Sequence, residues 1–247
     1  MTADTPLATA GELFLVSAGI GDADNLTLKA LKIIQQADLI LAMPFVARQL
    51  EEHLPTGVEV LDAGHGLFTP LARNGSNTPE QIEQQESHVR QRVREAIAAG
   101  QQVVVIEFGD PTLFGPQVGY LQEFHDLNPV ILPGISSFNA ANALLCQPLL
   151  HGGSQRLMLT TLRGLDGFTG TPPDLLVLFT MRLELPKLAD RLLQLYPEST
   201  AVALVISAGF SERQQVQHLT LGRLKAESTD LEIPWDCLIY VGAINEI

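Results

Sequence analysis

Residues 17–42 read SAGIGDADNLTLKALKIIQQADLILA and follow directly on the apolar run LFLV at 13–16. The span fits a buried strand, a turn with two glycines, a helix and a second apolar strand, the repeating unit of an α/β protein. Within the helical part Ala30, Ile33, Ile34 and Ala37 recur at helical spacing, while Lys29, Lys32 and Gln36 take another face. A dinucleotide-binding turn needs Gly-x-Gly-x-x-Gly, the last glycine letting helix and strand pack closely. Here Gly19 and Gly21 are followed by Asp24 at that place, and a carboxylate there repels a pyrophosphate. No Walker lysine follows any glycine loop. A tight turn with Asp22, Asp24 and Thr27 around a helix start accounts for much of the stretch.

The same alternation continues outward. Apolar, β-branched-rich runs recur as DLILA, VEVLDAG, QVVVIEFG and PVILPG, then RLMLTTL, LLVLFTM, AVALVISA and CLIYVGA. Several are near-continuous, the pattern of strands covered on both faces. Between them lies a second helix: Thr78 caps it, Pro79 suits its first position and Gln81 completes a capping box. Val89, Val93, Ala96 and Ile97 form its apolar stripe, and Gly100 ends it. The expected fold is α/β in two domains. NPVILPG marks the boundary, giving a leader over 1–11, an N-terminal domain over 12–131 and a C-terminal domain over 132–247. Ligands in such folds favour the carboxyl ends of strands and the cleft between domains.

Composition narrows the function classes. A formal net charge of −13 repels phosphate backbones and anionic membranes, so neither nucleic acid nor a membrane is expected as a partner. Cys146 and Cys237 stand far apart beside apolar residues; they read as buried inert thiols, and no metal is expected. MTADTPLATAGE has no apolar core of a secretory signal, and LLVLFTM is too short to span a bilayer. A cytoplasmic protein is expected.

Two further glycine turns complete the pattern. In VVVIEFGDPTLFG a buried strand runs into Gly109-Asp110-Pro111: glycine admits a ligand to the backbone, Pro111 stiffens the exit, and Leu113 and Phe114 offer an apolar wall. Equally, it reads as a turn with core anchors. In LPGISSFNAANALL, Ser136 and Ser137 stand where an apolar helix begins, either to bind a ligand's polar atoms or simply to cap the helix.

AGIGDADNLTLKAL, FGDPTLFG and PGISSF, in that order and spacing, resemble the tetrapyrrole (corrin/porphyrin) methylase family. Its members carry a Gly-x-Gly-Pro-Gly-Asp turn, then Gly-Asp-Pro, then Pro-Gly-Ile/Val-Ser-Ser. TAVALVISAGFSERQQVQHLTLGRL and PWDCLIYVG resemble its last strands, and the likeness runs from about Glu12 onward. The resemblance implies a methyltransferase of two α/β domains, a homodimer, with S-adenosyl-L-methionine folded in the cleft and S-adenosyl-L-homocysteine as product. It implies cofactor contacts at Phe108, Gly109, Asp110 and Leu113, and at Ser136 and Ser137 from the second domain. Thr180 falls where many relatives have a methionine against the adenosine; Ala208, or Gly209 after a one-residue slip, matches a small residue near the adenine. Trp235 is either another adenine-side contact or a core or rim anchor.

Two departures bear on the acceptor. Ile20 replaces the proline of the first turn, and Met43 stands where uroporphyrinogen-type members have an aspartate proposed to take a proton. A thioether cannot do that, so the expectation turns to a precorrin-like acceptor of cobalamin biosynthesis. Methyl transfer from a sulfonium needs alignment and exclusion of water more than acid–base groups. Where a ring carbon is the acceptor, a base must take its proton. His65, between two glycines in DAGHGLF, is the candidate, or an ordinary loop histidine. Arg73 pairs with a substrate carboxylate or is a solvated loop residue. His88 and His125 read as surface positions. The competing functions are a same-fold methylase with a peptide or protein acceptor, and a non-catalytic module that keeps the cofactor cleft.

Overall fold

The computed structural model describes residues 11–75, 77–150, 156–181 and 183–244. All but Gly11 of the expected leader lies outside these residues. The chain forms two compact units, the first running to Ser136 and the second from Ser137.

The first unit holds β1 (Glu12–Ser17), α1 (Leu28–Ile34), β2 (Leu39–Ala42), α2 (Pro44–Gln49), β3 (Glu59–Asp62), α3 (Pro79–Ala98), β4 (Gln102–Glu107), α4 (Gly119–Glu123) and β5 (Val130–Leu132). Its strands lie in the order β3-β2-β4-β1-β5, every pairing parallel. Alternate residues of the central strands serve two cores. Leu13, Leu15, Leu39, Leu41, Val103 and Val105 pack with Val89, Val93 and Ala96 of α3. Phe14, Val16, Ile40, Val104 and Ile106 pack with Ala30 and Ile34 of α1. Burial on both faces is why these strands read as unbroken apolar runs.

The capping box at α3 is present, with the Thr78 hydroxyl accepting from Gln81 N–H and the Gln81 side chain accepting from Thr78 N–H. Thr78→Ala is expected to cost about 1 kcal/mol, measured by urea unfolding. A loss within error would mean solvent satisfies those amides as well.

The second unit holds α5 (Ser137–Leu145), β6 (Leu157–Thr161), α6 (Leu162–Asp166), β7 (Leu175–Phe179), α7 (Leu185–Leu193), β8 (Ala201–Ile206), β9 (Gln215–Thr220), α8 (Leu221–Glu227) and β10 (Cys237–Gly242). The order is β6-β7-β10-β8-β9; β6 and β7 are parallel, whereas β10 runs antiparallel to β7 and β8, and β9 antiparallel to β8. One face packs on α7 and α8 through Leu176, Leu178, Val202, Leu204 and Ile239. α5 lies against β8, β9 and β10 and is pinned by the buried Tyr240 hydroxyl donating to Asn142 Oδ1 at 2.6 Å.

Three features depart from expectation. The units divide after Ser136, beyond the boundary placed at 131/132, because β5 joins the first sheet and Gly134 N–H bonds back to Asp110. β9 is absent from the apolar runs; as an edge strand with a largely solvated surface it carries the polar sequence QVQHLT. Cys237 is buried, but Cys146 is exposed: it follows the last residue of α5 in a left-handed turn, past the buried stripe of Ala141 and Leu145.

Candidate functional site

Parallel pairing puts the carboxyl ends of β4, β1 and β5 side by side, so the turns that follow them meet at one end of the first sheet. Ala18 N–H donates to Glu107 O at 2.8 Å, continuing the parallel β1–β4 pairing, and beyond it Gly109 N–H donates to Gly19 O at 2.7 Å in an isolated antiparallel bridge between those two glycines. It requires φ of +72° at Gly19 and +93° at Gly109, which a side chain would strain. The Ser17 hydroxyl lies beneath, donating to Gly109 O at 2.7 Å and accepting from Gly19 N–H at 3.0 Å. Gly134 closes the third side: a Cβ there would press on Ser17 Oγ and lie 2.5 Å from Ser17 Cβ.

Asp110 ties the second turn to the third. Its Oδ1 accepts from Thr112 N–H and the Thr112 hydroxyl, and its Oδ2 from Gly134 N–H at 3.1 Å. Burial pushes its pKa up, but the Thr112 hydroxyl and the Gly134 and Thr112 amides outweigh it and hold the carboxyl below the usual range. Asp110 is thus a brace between turns, its carboxylate oxygens already engaged by the protein.

An apolar surface borders these turns. Ile20 is 8% and Met43 9% exposed; Met43 packs in the core that Phe108 flanks, and Phe45 meets Phe108 edge-on at 5.1 Å between ring centres. Leu113 is half-buried. Gly109 is buried, yet a Cβ built on it would meet only Ile20 Cδ1, at 3.9 Å. That leaves room against the backbone beside an apolar wall, which suits the thioether side of a compact ligand.

Glu107, the last residue of β4, is fully buried under the second turn. Its Oε1 accepts from Phe108 N–H at 2.9 Å and its Oε2 from Gln117 N–H at 2.7 Å. Burial is the largest influence on its pKa, which rises to about 8 despite those two amides, with the Asp110 charge adding to the rise. Sequence reasoning passed over Ser17, Glu107 and Gln117. The available signal was a charged residue closing the strand VVVIE, where every neighbour is apolar.

His65 is exposed, in a turn where Gly64 N–H bonds to Asp62 Oδ1 at 2.8 Å. Arg73 is exposed, as are His88 and His125. Ser136 is buried and belongs to the first unit, not the second as expected, because the Gly134 anchor carries the chain to Ser136 before α5 begins.

In the second unit the antiparallel register sets the ends of β7 and β8 beside the start of β10. Thr180, Ala208 and Trp235 therefore share one sheet end, and Ser137 opens α5, which lies on that sheet. The buried Thr180 hydroxyl donates to Cys237 O at 2.7 Å. Ala208 is buried, and Ser207 before it donates through its hydroxyl to Asp236 Oδ2 at 2.9 Å and through N–H to Asp236 O. Asp236 also pairs with Arg213 at 3.2 Å, whose guanidinium lies 3.9 Å from the Phe210 ring centre. Trp235 is 62% exposed, which removes the core-anchor reading; it lies just before the first paired residue of β10. Among the described residues, no group of three or more His, Cys, Asp or Glu side chains could hold a metal ion. No described helix is long and apolar enough to cross a membrane.

Comparisons bear on this arrangement. The family of Tetrapyrrole (Corrin/Porphyrin) Methylases matches residues 12–225. A siroheme synthase of Pseudomonas fluorescens is 27% identical over 98% of this chain and 52% of its own length. A chloroplastic S-adenosyl-L-methionine-dependent uroporphyrinogen III methyltransferase of Arabidopsis thaliana is 28% identical over 96% of this chain and 64% of its own. The chain spans about half the length of the siroheme synthases it matches. In structure, it superimposes on a cobalt precorrin-4 methyltransferase with a TM-score of 0.72 at 21% identity, covering 94% of each chain. A uroporphyrin-III C-methyltransferase of Thermus thermophilus gives 0.69 at 24% identity, over 94% of this chain and 92% of that one. Both structural likenesses establish the two-sheet α/β fold, and the relatives include the uroporphyrinogen branch despite Met43. With the family matched from β1 into α8, the chain belongs to the tetrapyrrole (corrin/porphyrin) methylases.

Proposed function

We propose that the protein is an S-adenosyl-L-methionine-dependent methyltransferase acting on a tetrapyrrole. The observation that carries this is the space beside Gly109, bordered by Ile20 and set where three turns meet at the carboxyl ends of β1, β4 and β5. When bound, the cofactor supplies an electrophilic methyl group on a sulfonium, whose departure needs no acid. The protein's own residues then have three tasks: to hold, to exclude water and to accept a proton.

Phe108, Gly109 and Leu113 would hold the methionine side, with Asp110 keeping their turn against Gly134. Ser136, Ser137, Thr180, Ala208 and Trp235 are proposed as the remaining cofactor contacts. Ile20 and Met43 would present an apolar face to the acceptor, and His65 is the proposed proton acceptor, which its exposure permits. Arg73 would meet an acceptor carboxylate. Met43 favours a precorrin-like acceptor, whereas the Arabidopsis thaliana relative favours uroporphyrinogen III. A homodimer in the cytoplasm goes with this reading, and sedimentation would test the first part.

Label transfer decides among the acceptors. Protein mixed with methyl-labelled cofactor and either uroporphyrinogen III or a precorrin intermediate should label one tetrapyrrole. Tight S-adenosyl-L-homocysteine binding with no transfer to either would move the assignment to a peptide acceptor or to a non-catalytic module.

A further inference from the structure

Two buried polar side chains of the first unit take no part in the proposed transfer. Glu107 closes a strand of valine and isoleucine, and the charged group facing it is Asp110, of the same sign. Among the described residues, an ionised carboxyl there is compensated only by the two backbone amides of Phe108 and Gln117. Gln117 is wholly buried as well; its Nε2 donates to Gly64 O at 2.8 Å, while its Oε1 has no hydrogen-bond partner among the described residues. An orphaned buried acceptor is costly, so a leucine of similar size would suit packing alone better. The space is also tailored to the carboxyl: a Cβ on Gly115 would come within 2.8 Å of Glu107 Oε2.

What the polar pair provides, and an apolar pair would not, is direction. Glu107 fixes the amides of residues 108 and 117, and Gln117 in turn fixes the carbonyl of Gly64, next to His65. We infer that Glu107 and Gln117 are positioning residues that lock the 108–110 turn to the Gly64–His65–Gly66 turn, holding cofactor contacts and proton acceptor in one arrangement. The locked arrangement itself is independent of function; its use rests on the methyltransferase assignment proposed for the site.

Amide hydrogen exchange separates positioning from plain packing. In Gln117→Leu, exchange at 64–66 should rise about tenfold while 108–110 stays as in the wild type, since the Gln117 N–H bond to Glu107 survives. In Glu107→Gln, exchange should rise at 108–110 and 116–118, because an amide NH2 then faces one of the two N–H groups. At a temperature where both variants are folded, S-adenosyl-L-homocysteine should bind Glu107→Gln about tenfold more weakly. Gln117→Leu should bind it within twofold of wild type but turn over about tenfold more slowly at unchanged KM. Exchange unchanged in both variants, or raised uniformly through the unit, overturns the inference. A wild-type protein that binds no S-adenosyl-L-homocysteine overturns the functional assignment, and the exchange pattern still decides whether the two turns are locked.

Discussion

Gly134→Ala is expected to lower stability by about 2–4 kcal/mol, from overpacking and from broken buried hydrogen bonds, and to weaken S-adenosyl-L-homocysteine binding more than tenfold. The glycine is needed here for space, since the added carbon meets Ser17 Oγ and Cβ. Ser17 cannot turn aside freely: it is fully buried, and its hydroxyl holds both Gly109 O and Gly19 N–H. Displacing it disturbs the first and second turns, while the shifted Gly134 amide releases Asp110 in the same event. Gly167→Ala is the matched control, because a Cβ there meets nothing within 4 Å; its effect should stay within about 0.5 kcal/mol. The double variant Ser17→Gly/Gly134→Ala should recover part of the loss, a non-additivity expected only of residues in contact. Urea unfolding and calorimetric titration give both numbers. A Gly134→Ala protein with wild-type stability and affinity would show that the three turns are not mutually braced.

Stability should fall as the pH rises from about 4.5 to about 8, and Glu107 is the cause. Its folded pKa is raised to about 8 from the ordinary 4.5, so across that window the folded protein retains a proton that the unfolded chain has lost. Stability therefore decreases with pH wherever the folded state binds more protons. A difference of that size between the folded and unfolded pKa corresponds to on the order of 5 kcal/mol in full. Asp110 acts in the opposite sense and elsewhere: its depressed pKa contributes stability that is lost only as the pH falls below the ordinary carboxylate range. Glu107→Gln removes the titrating group. The stability of wild type relative to the variant, measured by urea unfolding from pH 5.5 to 9, should fall as the pH rises to about 8 and level off above it. A constant difference would place the Glu107 carboxyl in contact with solvent, contrary to its burial.

Much of the fold was legible in residue patterns. Burial on both sheet faces removes any need for alternation, so β1, β2, β4, β7 and β8 announced themselves as apolar runs. The α3 cap was legible because a capping box depends on residues only three apart. β9 was not, because an edge strand has a solvated face and a mixed composition. Strand direction in the second sheet was not legible either, since an apolar run has no polarity that names its neighbour.

At the candidate site the same division holds. Sequence by itself determined the family, through three short motifs in order, and with it the identity of the turns. Glycines whose φ must be positive, and a proline after them, are local requirements written into local residues. Only the tertiary structure decided how those turns are held: Asp110 spent on Gly134, Ser17 beneath Gly109, and Glu107 joined through Gln117 to Gly64. These contacts join residues from ten to 92 positions apart, and a hydrogen bond's partner depends on distance in space. Parallel strand order, set by the burial of two sheet faces, supplies that distance.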